Sequence, residues 1–127
     1  MSFDVYLRDK FGETVKVEPH AEGGTIKIDT PFSIDNTIYG GTQDAEMSVT
    51  FNYSKYYYQT IHPKQGLVYL DGKTGKEAIP ILRKAIRQLG TTPHYDYWKA
   101  TPGNAGNALA TLLTWAEQHP NARFVIH

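Results

Sequence analysis

The sequence predicts an α+β fold: a four- to five-stranded, mainly antiparallel or mixed sheet with two helices packed on one face. Three observations carry that expectation. Met47, Val49, Phe51 and Tyr53 fall at every second position of the stretch 46–58 and alternate with Ser48, Thr50 and Asn52, as one buried face of an extended chain requires. Thr74 and Glu77 match a capping box, after which Ala78, Ile79, Leu82, Ala85, Ile86 and Leu89 recur at helical spacing until Gly90. Thr101 and Pro102 open a second helical pattern, Ala105, Ala108, Leu109, Leu112, Leu113 and Ala116, which Pro120 ends after His119.

The remaining elements follow in chain order. Phe3, Val5 and Leu7 alternate with polar neighbours and read as a strand with one buried face. Residues 9–12 signal a turn, and Val15 and Val17 read as the second arm of a hairpin. After a break at 19–24, Ile26 and Ile28 make residues 25–28 a short third strand. Residues 29–42 hold Pro31, Asn36, Gly40 and Gly41 without a sustained period and read as a long loop. The stretch 46–58 then forms a central or near-central strand that ends in polar and phenolic groups. Residues 56–61 are compatible with a helical turn, and 67–70 with a short strand or more loop. Pro80 lies beyond the first turn of the first long helix, so that helix kinks there or its regular part starts there. On its outer face Lys76, Arg83, Lys84 and Arg87 form a basic stripe. Residues 91–100 form a loop rich in large aromatics, and 122–127 form a closing strand with Phe124 and Ile126 on one face.

Composition bounds the function. A chain of 127 residues fits one domain, taken here as residues 1–127, with one real core. Thirteen basic and thirteen acidic side chains cancel, so no chain-wide positive field attracts nucleic acid or an anionic membrane. The absence of cysteine excludes disulfide scaffolds and thiolate zinc sites and fits a reducing compartment. No run of eighteen apolar residues occurs and the first residues lack a basic, then apolar, leader, so an unprocessed, soluble, cytoplasmic protein is expected. Nine of the sixteen aromatic residues are tyrosine, a side chain suited both to interfaces and to the rim of a small core.

Several motifs resolve into duller readings. Gly72-Lys73-Thr74 resembles the end of a phosphate-binding loop, but position 67, where that motif needs glycine, is leucine. A helix N-terminus beside Lys73, Gly75 and Lys76 remains a candidate for a single anion. Histidines at 20, 62, 94, 119 and 127 form no metal-ligand spacing, and no Gly-x-Ser-x-Gly is present. Asn52-Tyr53-Ser54 fits a glycosylation acceptor but reads as a strand end. Arg83 and Arg87 stand one turn apart and suit two contacts to one acidic or phosphate-bearing partner, although basic helix faces are also ordinary. Tyr56, Tyr57 and Tyr58 with Tyr95, Tyr97 and Trp98 suit either base stacking, a protein interface or core packing.

Met1 to Val5, Asn52 to Ser54, Lys73 to Gly75 with Ile79 to Leu82, Asp96 to Ala105 and His119 to Arg123 together resemble small uncharacterised proteins encoded by tailed phages and prophages of Gram-positive bacteria. The resemblance implies a phage accessory protein in the host cytoplasm, and by analogy a binding role. The leading expectation is therefore a non-enzymatic anti-defence module that binds a host defence protein or sequesters a signalling nucleotide, without a cofactor or metal. Its expected ligand-binding residues are Asn52, Tyr53, Ser54, Tyr56, Tyr57, Lys73, Lys76, Arg83, Arg87, Tyr97 and Trp98. The alternatives are a small enzyme acting on a nucleotide or sugar through Asn52, His94, Asp96 or Tyr97, and a virion or morphogenesis component; homo-oligomerisation is compatible with each.

Overall fold

The computed structural model describes residues 1–20, 32–34, 37–39, 42–96 and 98–127. It is an α+β structure built on a three-stranded antiparallel sheet, in which β1 (Ser2–Arg8) lies between β6 (Glu46–Thr50) and β7 (Arg123–Ile126). The register explains the alternation in the sequence. Val5 faces Met47 on one side and Ile126 on the other, and Leu7 faces Phe124, so one row after another of apolar side chains points to the same face. All five of these are buried, while Asp4, Tyr6, Glu46 and Ser48 share the opposite face.

Two features of this sheet differ from the expectation. The stretch around Met47 is an edge strand, and the central position belongs to β1. The strand also stops at Thr50, eight residues before the end of the expected stretch. There the Thr50 hydroxyl accepts a hydrogen bond from the Asn52 N–H, a 3-10 turn runs over Phe51–Tyr53, and α1 (Ser54–Thr60) follows. Tyr53 and Tyr57, one helical turn apart, are what the turn buries.

The hairpin of the first two strands holds only at its base. The Asp9 carboxylate accepts from the N–H groups of Phe11 and Glu13, and Arg8 bridges Thr14. Beyond that, β2 (Lys16–His20) leaves β1 to pair with β5 (Thr42–Asp44), with an ion pair between Lys16 and Asp44. Buried Ala45 is the hinge that allows this, because its carbonyl accepts from Leu7 while its N–H donates to Val15. The expected loop over 29–42 contains a short antiparallel hairpin, β3 (Phe32–Ile34) with β4 (Thr37–Tyr39). The strand expected over 25–28 lies outside the described residues. Among the described residues the expected four- to five-stranded sheet is thus represented by a three-stranded antiparallel sheet and two separate two-stranded pairs.

The two longer helices follow the sequence closely. In α2 (Gly75–Leu89) both halves of the Thr74–Glu77 capping box are formed, Pro80 sits inside the helix, and Gly90 ends it at φ 76°, a left-handed conformation that favours glycine. In α3 (Pro102–Gln118) the Thr101 hydroxyl accepts from the Asn104 N–H. A 3-10 turn over Gly66–Leu70 precedes α2 and buries Leu67 and Leu70. The outer edge of β7 is covered, since Gly72 donates to Phe124, Phe124 donates to Lys73 and the Asp71 carboxylate accepts from Ile126.

The α2 and α3 axes run antiparallel and approach closely. A Cβ on Gly75 would lie 2.7 Å from the His119 carbonyl oxygen, and one on Gly106 would lie 1.8 Å from that of Gly90. Each end of the helix pair is therefore a backbone-to-backbone contact that a side chain would prise apart. Ala78, Leu82 and Ala85 from α2 and Ala105, Ala108, Leu109, Leu112 and Ala116 from α3 fill the buried faces. Gly106→Ala is expected to destabilise the protein by about 1–3 kcal/mol through overpacking, read as a lower urea midpoint, whereas Gly12→Ala meets no atom within 4 Å and strains only its own turn.

Candidate functional site

The close seam of α2 and α3 leaves a groove on its outer side. Ile79, Pro80, Arg83, Ile86 and Arg87 from α2 and Leu113 from α3 line a volume of about 530 Å³. Helical spacing explains the set: the α2 core face is Ala78, Leu82 and Ala85, so Ile79 and Ile86 stand beside it at the shoulder, and Arg83 and Arg87 one step further round. Ile79, Ile86 and Leu113 are half-buried and rest on the core, which makes the floor apolar and supported from beneath. Arg83 donates to the Glu117 carboxylate of α3 at 3.2 Å across the rim, with both side chains about half exposed. Arg87 lies in the last turn of α2, where the helix dipole favours a cation.

The other residues expected at a ligand site are distributed differently. Tyr53 and Tyr57 are fully buried, and the Tyr57 hydroxyl donates to the Ala105 carbonyl at 3.0 Å. That corrects the expectation for both, because a phenol sealed between α1 and α3 offers no surface to a ligand. Asn52, Ser54 and Tyr56 use their polar groups on the backbone: Asn52 donates to the Trp98 carbonyl at 2.8 Å, Ser54 to Phe51 at 2.6 Å and Tyr56 to Ala100 at 3.1 Å. Trp98 and Tyr95 are exposed on the loop that the Asn52 and Tyr56 bonds hold in place. Tyr97 lies outside the described residues. Lys73 lies over the Tyr69 ring and Lys76 is exposed at the start of α2. The structure thus brings Arg83 and Arg87 together, and separately Asn52, Tyr56 and Trp98, but the described lining of the groove includes none of the second group.

The backbone at the start of α2 offers nothing to an anion. Its first N–H groups are all engaged: Gly75 donates to Ala122, Lys76 to Pro120, Glu77 to the Thr74 hydroxyl and Ala78 to the Thr74 carbonyl. The Glu77 carboxylate already supplies the negative charge there, accepting from the N–H and hydroxyl of Thr74. The single-anion site expected beside Lys73, Gly75 and Lys76 therefore lacks the backbone N–H donors that a helix start would supply. Three of the histidines are similarly committed to the backbone. His62 Nδ1 accepts from Lys64 and Gln65, His94 Nδ1 accepts from Asp96, and His119 Nε2 meets the Lys16 carbonyl. Among the described residues no group of three His, Cys, Asp or Glu side chains is placed to hold a metal ion.

Three features of the site carry no clear signal in the sequence. Glu117 is a lone acid near a helix end, which makes no pattern. Leu113 has the spacing from Leu109 of a buried stripe and so reads as core. Asn104 is fully buried at the start of α3, where its side chain accepts from the His94 N–H and donates to the carbonyls of Asp96 and Lys99. It fixes the aromatic loop from within. On the open face of the sheet, Asp4, Tyr6, Glu46, Met47 and Ser48 line a smaller hollow of about 160 Å³, and Tyr6 stacks with His127 at 5.6 Å.

Comparison with protein-family models, with curated proteins and with solved structures finds no match to this chain. Among the described residues no helix is long and apolar enough to cross a membrane.

The hydrogen bonds from Thr74 hold the Glu77 carboxyl below the ordinary glutamate range, with smaller contributions from Lys73 and Arg123. A folded-state value below the unfolded one adds stability that is present above the unfolded pKa and is lost as pH falls through the folded one. Carbon-detected titration of Glu77 is expected to show the depressed value. In denaturant melts, the stability gap between wild type and Glu77→Gln is expected to narrow on passing from neutral to acid pH; an unchanged gap would mean that the charged carboxylate adds nothing to the cap.

Proposed function

We propose that the protein is a non-enzymatic accessory protein of a phage or prophage, acting in the host cytoplasm as a binding module whose partner is a host defence protein seated along the α2–α3 groove. One observation carries the reading: an apolar floor of Ile79, Ile86 and Leu113 lies beneath two guanidinium groups one helical turn apart. The floor excludes water, and the arginines offer forked donors to carboxylates at its edge. From Ile79 to Arg87 the groove follows about 12 Å of helix, at about 1.5 Å per residue. That length suits two turns of an amphipathic segment with apolar anchors on one stripe and acidic residues beside them.

A protein partner is favoured over a signalling nucleotide by the chemistry of the walls. The described lining holds no aromatic ring on which a base could stack, and the nearby helix start has its N–H groups already engaged. Balanced overall charge also argues for a local match of charges rather than long-range capture of a polyanion.

Calorimetry against a panel of purified host defence proteins, with cyclic nucleotides as the contrasting arm, tests the reading. A defence protein is expected to bind, and Arg83→Ala with Arg87→Ala is expected to weaken it roughly tenfold, about 1.4 kcal/mol, with a further loss on raising salt. Binding of a nucleotide alone, or binding of a protein indifferent to both arginines, overturns it.

A further inference from the structure

The rim of the groove already contains one acid held in place by one base. Arg83 Nη2 lies 3.2 Å from Glu117 Oε2, and the two side chains are about half exposed. Arg83 belongs to the groove lining, while Glu117 reaches it from the end of α3. The neighbouring guanidinium, Arg87, also lines the groove, one turn further along α2. The local balance is basic: α2 carries Lys76, Arg83, Lys84 and Arg87 against Glu77, whose carboxylate is turned to Thr74, and α3 carries Glu117 as its single charged side chain. Glu117 is thus the acid of these two helices that meets the groove's own cations.

We infer that Glu117 is a built-in stand-in for the partner's carboxylate: it occupies Arg83 in the free protein and is displaced when an acidic group enters the groove. The inference rests on the groove being the binding surface. It adds which cation is held in reserve, and which residue sets the threshold for anions. Arg87 makes the first contact with an incoming acid, and the Arg83 Nη2 donor that Glu117 holds is gained by exchange of one carboxylate for another. Because an exposed pair of this kind is weak, the exchange is reversible and its cost is small. A weak anion gains little from displacing Glu117, whereas a segment that also buries apolar side chains on Ile79, Ile86 and Leu113 overcomes it. The pair therefore acts as a filter for ligands that bring both an acid and an apolar face.

Two dyes of similar shape separate the terms. Anilinonaphthalene sulfonate carries an anion on an apolar body, and N-phenylnaphthylamine has a closely related apolar body without the charge. Both are titrated by fluorescence against wild type, Glu117→Gln, Arg83→Ala, the Arg83→Ala/Glu117→Gln double variant, and Ile86→Glu as the test that dye sits in the groove. Glu117→Gln is expected to tighten the sulfonate dye roughly two- to fivefold, to leave the neutral dye unchanged, and to lose its effect when Arg83 is already alanine. Circular-dichroism melts of each variant are expected to show that the fold is retained. If Ile86→Glu weakens both dyes but Glu117→Gln leaves the sulfonate dye unchanged, or tightens it equally without Arg83, the stand-in role is overturned and the groove reading survives. If neither dye responds to Ile86→Glu, the groove reading itself falls.

Discussion

The contact on which the rest of the structure depends is the backbone approach of α2 and α3 at their two ends. Gly75 against Ala116 and His119, and Gly106 against Gly90, leave no room for a Cβ. Small residues along the seam, Ala78 and Ala85 facing Ala105, Ala108 and Ala116 in the core, keep the helices close along their length. With the axes this near, the larger side chains cannot fit between them and move to the shoulders. On the inner side they meet the sheet; on the outer side Ile79, Ile86 and Leu113 are left half-covered, with Arg83 and Arg87 above them. The groove is a consequence of that spacing.

A second constraint works where α2 leads into α3. The loop between α2 and α3 is bonded from beneath by Asn104 and from the side by Asn52 and Tyr56. A buried amide with three satisfied bonds is stabilising only in one loop conformation, and leaving any of them unmade would cost about 1–3 kcal/mol. Polar groups that look available in an extended stretch are therefore consumed in fixing backbone. The exposed Tyr95 and Trp98 are the side chains this arrangement presents to solvent.

Much of the fold was legible because its signals are local. The capping box at Thr74, the stop at Gly90, the Thr101-Pro102 start and the alternation of Phe3, Val5 and Leu7 each depend on a few neighbouring residues, and each appears in place. The errors arose where a local pattern served two structures. Phe51 and Tyr53 continue the alternation of Met47 and Val49, yet Tyr53 and Tyr57 also lie at helical spacing, and burial of both phenols against α3 decided for the helix. Of the candidate site, the pairing of Arg83 with Arg87 could be read from their spacing. Their apolar floor and Glu117 could not, because Leu113 and Glu117 come from another helix and meet them only through the close seam. The same applies to the anion site at Lys73, which the carbonyls of Pro120 and Ala122 fill from the end of the chain's fold.

Whether the α2–α3 seam shapes the protein's binding surface can be read from methyl NMR of isoleucine- and leucine-labelled protein titrated with anilinonaphthalene sulfonate. Nuclear Overhauser contacts are expected from the dye to the Ile79, Ile86 and Leu113 methyls, with smaller shifts elsewhere. Silent groove methyls, with the dye's contacts falling instead on the ring protons of Tyr95 and Trp98, would contradict that role of the seam.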